Sequence, residues 1–146
     1  MRHPLGAGHT NGDAVVVFPA KRVAHMGDLF PSKSAPLIDT NNGGSGVAYP
    51  ATLAKAVATL DGVVTRVVTG HGTVPAGSPV RGMTTLDDLK EYADFNRDFV
   101  AAVREAAKAG KTPDAAAESL ALPDRYKDYA MDRAKDDVAI IYREIK

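Results

Sequence analysis

Three polar residues stand out because each sits in a glycine-flanked turn beside a predicted strand. They are His9 in Gly8-His9-Thr10-Asn11-Gly12-Asp13, Asp28 in His25-Met26-Gly27-Asp28-Leu29-Phe30, and His71 in Thr69-Gly70-His71-Gly72. A glycine beside such a residue lets the backbone turn sharply and bring the side chain to a shared rim. Two imidazoles and a carboxylate form a donor set that zinc accepts, and three protein donors plus water make a catalytic geometry. The spacing, 19 residues from His9 to Asp28 and 43 from Asp28 to His71, is unlike that of a compact metal knuckle. The same residues also read as turn histidines bonding backbone groups and an aspartate ending a strand. Spacing alone leaves both readings open.

Other polar residues carry less. Asp13 follows the His9 turn at a distance that suits a contact orienting the imidazole, and equally suits a turn residue opening a strand. His3 and His25 are the remaining histidines, and either could substitute for a missing ligand. Strand alternation places His25, three residues before Asp28, on the opposite face. Asp39 reads as a solvated loop residue. The glycine-rich residues 41–46 are followed by no Gly-Lys-Ser/Thr and form no dinucleotide fingerprint, so they read as a flexible loop and not a phosphate cradle. Ser45 lacks the preceding strand that a nucleophile elbow needs.

Composition narrows the classes. A chain of 146 residues that is 45% hydrophobic and 25% charged has the size and make-up of one soluble globular domain. Lysine plus arginine equals aspartate plus glutamate at 18 each, so no strong field points to nucleic acid or an anionic membrane. With no cysteine present, a metal would have to be held by histidine and carboxylate. The longest apolar runs fall far short of the roughly 20 residues of a membrane span, and no signal-peptide core is visible. The expectation is a cytoplasmic chain with no nucleic-acid or membrane partner.

The elements that would position the three residues follow from pattern. Residues 14–18, Ala-Val-Val-Val-Phe, form an unbroken apolar run that suits a strand buried on both faces. Residues 22–26 look like its hairpin partner, joined through Pro19-Ala20-Lys21. Residues 27–49 are rich in proline, asparagine and glycine and read as a long surface loop. Pro50 suits the first turn of a helix whose apolar stripe is Leu53, Ala54, Val57 and Leu60, ended by Asp61-Gly62. Residues 63–69 are a third strand running straight into His71. Thr85 can cap a long helix carried by Leu86, Leu89, Phe99 and Val103 as far as Gly110. Thr112-Pro113-Asp114 restarts a short helix, Pro123 breaks it, and Val138, Ile141, Tyr142 and Ile145 mark a terminal one. The division expected is a sheet and metal-motif region over residues 1–83 and a helical region over 84–146. The helices read as cover, with interspersed charges on solvated faces.

The three motifs, in this order and strand context, resemble the last three signature motifs of the metallo-β-lactamase superfamily. Pro36-Leu37-Ile38-Asp39, Gly43-Gly44-Ser45 and the helical tail resemble a bacterial zinc-hydrolase branch of it. The fold implied is α/β: the C-terminal half of the family's αββα sandwich, a short mixed sheet covered by helices. The resemblance implies that His9 completes one metal site, that Asp28 bridges two metals and is the catalytic carboxylate, and that His71 completes the second site. It also implies zinc as cofactor and a metal-activated hydroxide attacking an ester, thioester or amide carbonyl.

The family's His-x-His-x-Asp-His run, which supplies its other ligands, does not occur in this sequence. The chain therefore reads as one half of the sandwich, with the inner face of its sheet bare. That face predicts self-association, most simply a homodimer, or a partner supplying the N-terminal half. One expectation is a metal-dependent hydrolase of a small-molecule substrate, completed by another chain. The other is a non-catalytic homodimeric half-fold holding one metal. A helical interaction module using the C-terminal region has only amphipathic spacing behind it.

Overall fold

The computed structural model describes residues 5–72 and 82–145, so His3 lies outside the described residues. Four short strands form one mixed sheet in the order β1-β2-β3-β4: β1 (Val16–Phe18), β2 (Val23–His25), β3 (Arg66–Val68) and β4 (Met83–Thr85). β1 and β2 make the expected hairpin, closed by a 3-10 turn at Pro19–Lys21 with Arg22 in the left-handed region. β2 and β3 run parallel, and β3 and β4 antiparallel. A parallel neighbour cannot follow through a tight turn, so the chain crosses over through residues 26–65. β4 escapes sequence reading because Met83-Thr84-Thr85 is too short to show a period.

The crossover contains α1 (Tyr49–Leu60), which has a proline in its first turn and stops where Gly62 takes a positive φ of 73°. α2 (Leu86–Lys108) follows β4 directly. Its Thr85 side chain accepts from the Asp88 N–H while Asp88 accepts from the Thr85 N–H, a reciprocal cap. Gly110 at φ 76° follows the helix. α3 (Pro113–Glu118) starts on a Thr112 cap, and α4 (Ala134–Glu144) ends the described chain.

Strand register aligns Val17, Ala24, Val67 and Thr84 in one row across the sheet. Ala24 and Val67 of this row are buried in a core with Leu53, Leu60, Leu89, Phe95 and Ile141. The aromatic part is stacked, with Phe30 against Tyr92 at 4.6 Å and Phe95 against Tyr129 at 4.4 Å between ring centroids. The architecture is α/β, a mixed sheet with helices on one face, as the motifs imply.

Two expectations are corrected. Residues 14–18 do not form a strand buried on both faces, because β1 lies at the end of the sheet and Val16 and Phe18 are 43% and 50% exposed. In the alternate rows of the register these side chains stand on the face opposite the helices. Residues 27–48 are also not a purely surface loop: Leu29, Phe30, Ala35 and Ile38 are buried, and the loop is packed down as a wall of the core. Its proline and glycine content marked irregular backbone correctly, but irregular backbone can still bury its apolar side chains. No helix among the described residues is long and apolar enough to cross a membrane.

Asp137, in the first turn of α4, is buried, and its Oδ2 has no hydrogen-bond partner among the described residues. Burial pushes its carboxyl up from 3.8 to about 8, against a smaller opposing pull from Arg133. The folded protein therefore keeps a proton that the unfolded chain releases as pH rises from about 4 to about 8. Stability from this group is complete below pH 4, falls across that window and is gone above it. Asp137→Asn, neutral throughout, is expected to flatten the slope. Denaturant unfolding at about pH 5 and about pH 9 should show the native chain losing on the order of a few kcal/mol more than the variant.

Candidate metal centre

The sheet topology dictates where the three polar residues meet. His25 and Val68 are register partners at the C-terminal ends of the parallel strands β2 and β3. Asp28 lies three residues beyond His25 and His71 three residues beyond Val68, so both emerge at one edge of the sheet. β1 is antiparallel to β2 with Val16 opposite His25, which brings the start of β1, and the His9 turn before it, to the same edge. Ends of parallel strands are a recurrent place for ligand sites, because loops there converge without the next element covering them.

At this edge Asp28 lies between the two histidines. Its Oδ1 is 2.8 Å from His71 Nε2 and its Oδ2 is 3.6 Å from His9 Nε2. The side chains grade from sheltered to open, His9 at 15%, Asp28 at 40% and His71 at 70% exposure. Each carboxylate oxygen faces a different imidazole. The arrangement is thus two imidazole–carboxylate pairs sharing one aspartate, and among the described residues no group of three His, Asp or Glu side chains is placed to hold a single ion. A mononuclear site built from all three side chains together does not match this geometry.

Backbone contacts fix the donors. His9 Nδ1–H donates to the Leu37 carbonyl at 2.8 Å, since a carbonyl can only accept, and this bond turns Nε2 toward Asp28. Leu37 is a site residue that sequence reasoning missed, since a backbone oxygen 28 positions away leaves no mark in side-chain chemistry. The Asp28 turn, Gly27–Leu29, is held from beneath by the buried Tyr49, whose hydroxyl donates to the Asp28 carbonyl at 3.0 Å. Gly70 N–H donates to the Phe30 carbonyl and His71 N–H to the Pro31 carbonyl, at 3.0 and 2.8 Å, which ties the two loops together beyond the strands.

Asp13 acts differently from a residue that orients the ring. Its Oδ1 accepts from the Thr10 N–H at 3.1 Å and from the Thr10 hydroxyl at 2.7 Å, so it braces the turn carrying His9. His25 is exposed, and its Nδ1 accepts from the Gly27 N–H at 3.1 Å. Asp39 is a turn residue accepting from Asn42, and its N–H donates to the His9 carbonyl at 2.9 Å. In the segment 41–46 the first three residues are exposed, while residues 44–46 and Val47 form a bracket in which Gly44 lies against the His9 carbonyl so closely that a side chain could not fit. Beside His71 a cavity of about 380 Å³ is lined by Phe30, Lys33, Thr69, Met83 and Thr84. Lys33 there is ion-paired with Asp88 and Glu91, which raises its ammonium pKa, chiefly through the Asp88 hydrogen bond.

The donor chemistry fits a divalent cation. His9 turns its Nε2 toward one Asp28 oxygen and His71 its Nε2 toward the other, so each imidazole–carboxylate pair offers one nitrogen and one oxygen donor. Each position would draw one imidazole and one carboxylate oxygen from this chain, fewer than the four ligands zinc takes.

Neither a protein-family model nor a curated protein matches the sequence. Solved structures do. A double mutant of the sec-alkyl sulfatase PisA1 aligns over 99% of this chain and 25% of its own, with a TM-score of 0.74 at 12% identity. The sec-alkylsulfatase Pisa1 from Pseudomonas sp. aligns over 97% of this chain and 23% of its own, with a TM-score of 0.68 at 13% identity. The DIM-1 metallo-β-lactamase aligns over 64% of this chain and 39% of its own, with a TM-score of 0.50 at 20% identity. The chain thus spans a quarter to two-fifths of the length of these structures. The resemblance to the metallo-β-lactamase superfamily holds at the level of the fold, of which this chain forms one part.

Gly70 supplies a test of the geometry. A Cβ there would lie 2.6 Å from Asp28 Oδ1 and 2.7 Å from the Gly27 carbonyl oxygen. Gly70→Ala is expected to push the carboxylate away from His71 and to cost about 1–3 kcal/mol in urea unfolding. Gly12→Ala, where a Cβ meets nothing within 4 Å, should stay within about 0.5 kcal/mol of the native chain.

Proposed function

We propose that this chain supplies the sheet-edge half of a divalent-metal centre, most simply zinc, in a hydrolase of metallo-β-lactamase type. His9 and His71 would each hold one metal position and Asp28 would bridge them. The observation that carries this reading is the shared carboxylate, whose two oxygens address imidazoles from two separate loops. When bound, the metal supplies Lewis acidity and a water whose pKa is lowered toward neutrality, suited to attack on an ester, thioester or amide carbonyl.

The chain's own residues hold these donors in place. The Leu37 carbonyl keeps the His9 proton on Nδ1, Asp13 braces the His9 turn, and Tyr49 anchors the Asp28 backbone. Exposure rising from His9 to His71 leaves the His71 side open to a small-molecule substrate, with the adjacent cavity the natural place for it. The remaining ligands are proposed to come from an N-terminal half, or from a second copy of this chain facing the same edge.

Plasma mass spectrometry on the purified protein tests the metal reading. With two ligands per position from this chain, partial zinc retention is expected after loading with excess zinc, and it should fall several-fold in both His9→Ala and His71→Ala, since each removes half of one position's donors. Zinc content that is negligible, or unchanged in both variants, would sink it.

A second reading, a non-catalytic half-fold that pairs with itself, is favoured by the exposed Val16 and Phe18 on the sheet face opposite the helices. Burying that face against a second copy would remove apolar surface at roughly 25 cal/mol per Å². Light scattering should then give a dimer that Phe18→Ser converts to monomer. A well-folded monomer for the native chain at micromolar dilution removes the homodimer.

A further inference from the structure

We infer that Glu144, on the last turn of the C-terminal helix α4, is a positioning residue for His9. The role rests on the metal-centre reading above, yet the contacts that define it are independent of any metal. The Glu144 carboxylate accepts from three donors in the bracket that cradles the His9 turn: the Ser45 hydroxyl at 2.9 Å, the Gly46 N–H at 3.1 Å and the Val47 N–H at 2.8 Å. These donors lie 97 to 99 residues from Glu144 in sequence, so no local preference explains the arrangement. Three donors converging on one carboxylate make a rigid clamp, stronger than neutral hydrogen bonds because the acceptor is charged.

What the clamp holds is the wall behind His9. Ser45 N–H donates to the Gly8 carbonyl at 3.0 Å, and the Ser45 hydroxyl oxygen also accepts from the Ala48 N–H at 3.0 Å as α1 begins. Next to it, Gly44 packs against the His9 carbonyl, and its N–H donates to the Asp39 carbonyl at 2.8 Å while Asp39 N–H donates to that of His9. The same loop contributes the Leu37 carbonyl that fixes the His9 tautomer. Removing the clamp leaves the Ser45 hydroxyl and the Gly46 and Val47 N–H groups without their acceptor, and the strain passes to His9 through the Ser45–Gly8 bond. The His71 loop has its own ties, through the Phe30 and Pro31 carbonyls, and makes none of its bonds with residues 45–47.

That asymmetry gives the test. In metal-free protein, imidazole ring-proton NMR signals should move for His9 in Glu144→Ala and stay in place for His71. Glu144→Gln, which keeps an acceptor oxygen, should return the His9 signals most of the way to those of the native chain. In a cobalt titration Glu144→Ala should weaken binding by about tenfold, the lower end of what groups supporting a metal ligand contribute. His9 signals unchanged in Glu144→Ala, or equal displacement of His9 and His71, would overturn the inference. A native chain that binds no cobalt refutes the metal reading alone, because the ring signals still decide whether Glu144 positions His9.

Discussion

The parallel pairing of β2 with β3 is the constraint on which the rest of the molecule depends. Parallel neighbours bring like ends together, so the residues after β2 and after β3 leave the sheet at the same edge. Asp28 and His71 lie equally far beyond partnered residues, and their meeting is a consequence of register. A slip of one residue would turn alternate side chains to the opposite face and separate the pair. The β1 hairpin then brings in the His9 turn. The crossover that parallel pairing requires is also what creates the long segment 26–65, and that segment supplies both the bracket behind His9 and the helix bearing Tyr49.

Rigidity at the edge comes from small residues and backbone bonds. Gly70 and Gly44 are places where a side chain would collide with the Asp28 carboxylate or the His9 carbonyl, so the close approach of loops is possible only with glycine. Carbonyls of Leu37, Phe30 and Pro31 take the donors offered by His9, Gly70 and His71. The core beneath contributes in the same sense, since Phe30 stacks on Tyr92 directly below the Asp28 turn.

One face of the sheet is built for packing and the other is open. Ala24 and Val67 are sealed under helices, while Val16 and Phe18 stand exposed on the opposite side. His25, Arg66 and Thr85 share that face, so it mixes apolar with polar side chains.

What the sequence determined by itself is local. The glycine-flanked turns picked out His9, Asp28 and His71, and proline, Thr85 and Gly110 marked helix ends, because caps and turns are decided by residues within about four positions of each other. The run of valines announced a strand without revealing that β1 lies at the sheet's edge, since hydrophobicity reports preference for burial and not whether a neighbour exists to provide it. Only the tertiary structure decided which Asp28 oxygen faces which histidine, that Asp13 braces a turn and leaves the ring to the Leu37 carbonyl, and that Glu144 clamps residues 45–47. These contacts join positions 19 to 99 residues apart, except the short Asp13 brace, where competing donors settle the choice. Such pairings are fixed by chain crossover, strand register and backbone carbonyls, none of which is written in the side-chain pattern of any one segment.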